Sequence, residues 1–101
     1  MRATAKAEVI DFLKKHSYTI NAFGVCKIGI FGSFVKNEQD IDSDIDILVE
    51  FNSDKLNYDN YINLAYFLED NLNRKIDLIT NESLSPYIGP QILQEVEYVS
   101  L

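Results

Sequence analysis

The strongest constraint on how this chain folds is the run from Ile30 to Phe51, IFGSFVKNEQDIDSDIDILVEF. It reads as an apolar strand ending in a Gly32-Ser33 turn, a polar connection of ten residues, and a second strand opening with Asp44-Ile45-Asp46. Side chains alternate across a strand, so Asp44 and Asp46 leave the same face with α-carbons about 6.5–7 Å apart. Two carboxylates so placed repel each other without a counterion. Hard oxygen ligands of this kind favour Mg²⁺, with Mn²⁺ as a second candidate, and leave coordination positions for substrate phosphates. Gly32 lets a ligand approach the backbone, and Ser33 offers a hydroxyl and an amide at what reads as a helix start, where partial positive charge favours phosphate. Separately, each piece has an ordinary explanation: a solvated face for Asp-x-Asp, a capped turn for Gly-Ser. The joint spacing is what points to a phosphate and metal site.

Around this run the chain reads as a single domain spanning residues 1–101. The spacing of Ala5, Val9, Phe12 and Leu13 predicts a helix over 3–16, closed by Lys14, Lys15 and His16, where cations complement the helix dipole. A turn at Asn21–Gly24 leads to strand one at Val25–Phe31, with Cys26, Ile28 and Ile30 on one face and Cys26 buried as a small apolar residue. Ser33 to Gln39 reads as a short helix from which Lys36 either reaches a phosphate or is simply solvated. Asp40 and Asp42 read as surface acids, and Ser43 as a residue that orients Asp44 through a hydrogen bond. Strand two, from Asp44 to Phe51, sets an acidic row opposite an apolar one. The longest helix, 58–71, follows, with Tyr61, Ala65, Leu68 and Leu72 as its core stripe. Lys75–Ile79 is strand three, in which Asp77 stands among apolar neighbours. An unpaired buried charge is costly, and a metal is a natural partner for it; the alternative is an exposed acid on an edge strand. From Pro90, Ile92, Leu93, Val96 and Val99 predict a final amphipathic helix.

Charge narrows the partners. The formal net charge is −7, and Glu38, Asp40, Asp42, Asp44, Asp46 and Glu50 crowd one stretch. Such a surface repels a nucleic-acid backbone, which argues against direct nucleic-acid binding and favours a free nucleotide carried in with its own cations. Cys26 is the only cysteine, so neither an internal disulfide nor a cysteine-based zinc site is available, as suits a reducing cytoplasm. Charged residues interrupt the N-terminal region, so no signal peptide or membrane span is expected there.

Gly32, Ser33, Asp44 and Asp46 together resemble the signature of the DNA polymerase beta-like nucleotidyltransferase superfamily, and within it the minimal nucleotidyltransferases. Lys75-Ile76-Asp77-Leu78-Ile79 is similar to the strand that carries that family's third acidic residue. After Gly-Ser the family commonly reads Ala-Arg-Gly where this chain has Val35-Lys36-Asn37. Lysine keeps the charge but lacks the forked guanidinium. The resemblance implies an α/β (α+β) fold, a small mixed β-sheet with helices packed on one face and the acidic face open. It also implies two-metal nucleotidyl transfer, with one ion on Asp44, Asp46 and Asp77 activating an acceptor hydroxyl and a second clamping the triphosphate. Gly32, Ser33 and Lys36 would hold the nucleotide.

For the acceptor, the resemblance points to antitoxins that move AMP from ATP onto a tyrosine of a cognate HEPN-domain ribonuclease toxin, in a complex of the two proteins. The shortness of the sequence is compatible with this, since a lobe this small would need a partner to present the hydroxyl. The other reading is a non-catalytic binding module that neutralises its partner by occlusion, motivated by Lys36 and Asn37. Transfer to a small-molecule hydroxyl is a third, weaker one.

Overall fold

The computed structural model describes residues 2–101. The elements in chain order are α1 (Lys6–Lys15), α2 (Ser17–Ala22), β1 (Val25–Phe31), α3 (Ser33–Lys36), β2 (Ile45–Phe51), α4 (Tyr58–Leu72), β3 (Ile76–Thr80), a 3₁₀ turn (Asn81–Ser83), α5 (Gly89–Glu95) and β4 (Glu97–Val99). The sheet order is β3-β2-β1-β4. β2 lies antiparallel to β1 and parallel to β3, and β4 runs antiparallel to the outer side of β1. The sheet is therefore mixed, as the family resemblance implied. The β2-to-β3 connection is the crossover a parallel pair requires, and α4 supplies it.

One sheet face carries Val25, Ile28, Ile30, Ile45, Ile47, Val49, Ile76 and Leu78 into the main core, where Val9, Phe12 and Leu13 of α1 and Leu64, Leu68 and Leu72 of α4 meet them. Burying a side chain of this size contributes about 1.5–3 kcal/mol, so this layer dominates stability. Asn57 accepts a hydrogen bond from the Asn60 amide and caps α4, and Asn73 ends it in the left-handed conformation. The opposite face carries Asp46, Leu48 and Asp77. α5 reaches over part of it, where Ile92 packs on Phe31 and Leu48 in a small second cluster.

Several sequence expectations are corrected. The first helix ends at Lys15, and His16 leads into a second, α2, which takes in Asn21 and Ala22 of the expected turn. His16 stacks on Phe12 at 4.3 Å between ring centroids, and its Nδ1 lies 3.1 Å from the Phe12 carbonyl oxygen, so its role is structural. Cys26 is exposed rather than buried. A bulge shifts the β1–β2 register between Val25 and Lys27, and the extra residue turns the thiol out of the core towards Glu50. The last helix stops at Glu95, where Val96 turns extended, and Glu97–Val99 forms β4. β-branched and aromatic residues suit a strand, and β1 would otherwise present an unpaired edge. Among the described residues no helix is long and apolar enough to cross a membrane.

Candidate active site

The Gly-Ser turn at the end of β1 and the opening of β2 meet on the less covered sheet face. Phe31 is the register partner of Asp46, and Asp46 is the register partner of Asp77 on the parallel neighbour β3. Identical facing follows from identical register, so the two carboxyl groups leave the same face side by side, and the charge of Asp77 acts on Asp46. Asp44 lies just before β2 rather than within it, yet its charge still acts on Asp46. Asp77 is exposed, the edge-strand alternative and not the buried one, because β3 is the sheet edge.

Gly32 has φ +73° and ψ −147°, a region that only glycine adopts without strain. Its backbone also lies against Asp46: a methyl group built there would collide with the carboxylate and stand 2.9 Å from Asp46 Cγ. Gly32→Ala is therefore expected to cost about 1–3 kcal/mol from backbone strain and to push Asp46 aside. Chemical denaturation would measure it, and an unchanged midpoint would show that the turn relaxes freely.

Burial pushes the Asp46 carboxyl up to about 6, and the negative charges of Asp77, Asp44 and Glu95 push the same way. Glu95 is a residue that sequence reasoning missed. From the end of α5 its Oε1 accepts from the Gly32 amide at 3.0 Å, and its Oε2 lies 3.3 Å from Lys36 Nζ. Lys36 is thus tied to the Gly32 turn through an acid. Nothing in the spacing of Gln94-Glu95 marked it, since its role arises from α5 folding back over the sheet.

Ser33 is the first residue of α3, and no side-chain hydrogen bond caps that helix. With one turn of helix the dipole is small, so the positive character here rests on the Gly32 amide and Lys36. Asn37 takes φ 59° and ψ 37°, the left-handed conformation that Asn tolerates better than other non-glycine residues. The replacement of the common glycine is thus accommodated by the backbone.

The loop before Asp44 is held from below by Arg74, a second residue that sequence reasoning missed. Arg74 is 6% exposed. It donates to the carbonyls of Ala3 (2.5 Å), Asp40 (3.1 Å), Ile41 (3.4 Å) and Ser43 (2.7 Å), and its guanidinium lies 5.1 Å from the Phe34 ring centroid. Contrary to the sequence expectation, the Ser43 hydroxyl bonds Asp40 and not Asp44. It accepts from the Asp40 amide at 2.9 Å and donates to the Asp40 carboxylate at 3.3 Å. Asp40 and Asp42 are exposed acids, as expected.

Among the described residues, no three histidine, cysteine, aspartate or glutamate side chains converge closely enough to enclose a metal ion as they stand. The donor set nonetheless suits a divalent cation. Asp46 and Asp77 offer hard oxygens on neighbouring strands in register, and the charges of Asp77 and Asp44 beside Asp46 are ones a cation would offset.

A small mixed sheet, a glycine turn lodged against a strand aspartate and a second aspartate in register beside it define a nucleotidyl-transfer type of domain. The chain matches the nucleotidyltransferase domain family over residues 6–99, and it belongs to that family. It is 39% identical over 93 residues to the protein adenylyltransferase MntA of Thermococcus cleftensis, spanning 91% of this chain and 93% of that one. A Methanocaldococcus jannaschii protein, proposed by its name to be a protein adenylyltransferase, is 36% identical over 96 residues, 92% of this chain and 96% of that one. Among solved structures, a toxin-antitoxin complex with AMP-PNP superposes with a TM-score of 0.67 at 25% identity, covering 84% of this chain and 70% of that one.

Proposed function

We propose that this protein transfers AMP from ATP to a hydroxyl of a partner protein and serves as the antitoxin of a toxin-antitoxin pair, with a tyrosine of a HEPN-domain toxin as acceptor. The observation that carries the reading is the register of Asp46 with Asp77 beside the Gly32 turn. It brings two carboxylates and a close-approach backbone to one place, which is what in-line attack on a nucleotide phosphorus needs. The named relatives support the adenylyl group and the protein acceptor, and the complex with AMP-PNP supports a nucleoside triphosphate as donor.

In this mechanism Asp44, Asp46 and Asp77 would hold divalent ions, Mg²⁺ foremost, and the ions would supply charge neutralisation at the triphosphate and a lowered pKa for the acceptor hydroxyl. Gly32 gives the polyphosphate access to the backbone, Ser33 and Lys36 bind its oxygens, and the exposed Asp77 would accept the acceptor's proton. No side chain of this chain acts as nucleophile. The acidic surface keeps nucleic acid away and leaves the docking of the acceptor to protein contacts. A small protein of this kind would work in the cytoplasm, beside its ATP and its toxin.

Incubation with α-labelled ATP, Mg²⁺ and the product of the neighbouring gene tests this. Label is expected on that protein with the wild type and far less with Asp44→Asn. An unlabelled partner, with the two forms behaving alike, refutes it.

A further inference from the structure

The two groups on which phosphate binding depends, the Gly32 amide and the Lys36 ammonium, are already joined by an anion. One Glu95 carboxylate bridges them, at 3.0 Å to the amide nitrogen and 3.3 Å to Nζ. A turn amide and a cation are the donors a phosphate oxygen pair uses, and a carboxylate presents its negative charge over two oxygens in a similar way. The bridge is not at the rim: the Glu95 side chain is 19% exposed, against 47% for Lys36.

Electrostatics makes this placement unexpected. Asp44, Asp46 and Asp77 already crowd the site, and Glu95 adds to the negative field at Asp46. A fourth acid is unfavourable there unless it satisfies donors that would otherwise go uncompensated. The donors it satisfies are the two that a nucleotide would need.

We propose that Glu95 is the resident anion of the phosphate seat in the nucleotide-free protein, and that an incoming polyphosphate takes the Gly32 amide and Lys36 by displacing it. Glu95 is the last residue of α5, and Val96 after it is extended, so release needs a side-chain rotation and no unwinding of helix. The exchange also sets a threshold. A singly charged anion gains little by replacing one carboxylate with another, whereas a polyphosphate brings more charge and its own cation to the neighbouring acids. Glu95 thus selects for polyphosphates. The inference rests on reading Gly32 and Lys36 as phosphate ligands, as above.

The test is calorimetric titration of the full chain with inorganic tripolyphosphate in magnesium buffer. Glu95→Gln removes the competing charge while keeping the side chain's length, and it is expected to bind roughly tenfold tighter than the wild type, about 1.4 kcal/mol. Adding Lys36→Met to Glu95→Gln should abolish that gain. Equal or weaker binding by folded Glu95→Gln, or no binding by either form, overturns the proposal. A measurement on the wild type alone guards against a variant that fails to fold. On addition of tripolyphosphate, the carbon resonance of the Glu95 carboxyl should shift together with the Gly32 amide, and a Glu95 signal that stays fixed while Gly32 moves refutes displacement. Tripolyphosphate has no adenylyl group to transfer, so this outcome is independent of the labelling assay. Intact labelling with unchanged tripolyphosphate affinity in Glu95→Gln would reject the resident anion and leave the transfer reaction standing.

Discussion

Asp46→Asn is expected to abolish nucleotidyl transfer and, in cation-free buffer at pH 7, to make the protein more stable. Both effects come from one cause. Burial and the charges of Asp77, Asp44 and Glu95 raise the Asp46 carboxyl from an ordinary 3.8 to about 6. A folded-state pKa above the unfolded one means that the native state favours the proton. The contribution of Asp46 to stability is therefore fully present below about pH 4 and is lost as pH rises through about 6. At pH 7 the ionised group carries a penalty on the order of 2 kcal/mol, which the neutral asparagine does not. The variant should melt roughly 10 °C higher at pH 7 with chelator present, and the gap should close at pH 4, where the wild type is protonated too. Divalent cations should raise the wild-type melting temperature at pH 7 and leave the variant nearly unchanged, since a cation takes the place of the proton. Transfer should fall at least about a thousandfold, because a carboxylate that stabilises developing charge is gone. A variant no more stable than the wild type at pH 7 would mean that the site is not poised against its own charge.

This opposition between stability and function explains which parts of the molecule the sequence made legible. Elements fixed by local pattern were readable. The apolar run Val25–Phe31 matches the bounds of β1, and the alternation from Ile45 to Phe51 fixes which side of β2 is acidic, because period-two patterning states burial directly. Gly32, Asp46 and Asp77 were readable as candidates because the chemistry that would use them imposes residue types and spacing. What failed depended on contacts distant in sequence. The bulge that turns Cys26 outward has no local signature, and the C-terminal Glu97–Val99 became a strand because β1 had a free edge to cover. Glu95 lies 63 residues from the amide it binds, and in sequence it is one more polar residue on a helix. Asn37 is an intermediate case. As a departure from the family's common glycine it raised the occlusion reading, and its left-handed backbone answers the conformational part of that concern.

Arg74 holds the loop that leads into the site, and its removal carries the largest loss of stability expected here. A buried guanidinium that bonds four carbonyls joins the N-terminal segment at Ala3, the 40–43 loop and the start of β3. Its partners are backbone oxygens, and burial lowers its pKa while the charges of Asp40 and Asp42 work against that. Arg74→Met fills similar volume but leaves several carbonyls without a donor. At about 1–3 kcal/mol for each polar group left unsatisfied, and with some of them regaining water at the loop, the loss should be about 3 kcal/mol, or roughly 12–20 °C in melting temperature. Lysine places one point charge where the fork reaches in several directions, so Arg74→Lys should recover less than half of that loss. The damage should also be local. The 40–43 loop leads directly into Asp44, and the Ile45 amide bonds the Lys75 carbonyl at 3.0 Å beside Arg74. Amide exchange in Arg74→Met should therefore accelerate first at Ser43, Asp44 and Ile45, while Leu64 and Leu68 in the middle of α4 stay protected until global unfolding. Uniform acceleration across the chain would instead make Arg74 an ordinary core residue with no particular hold on the aspartate loop.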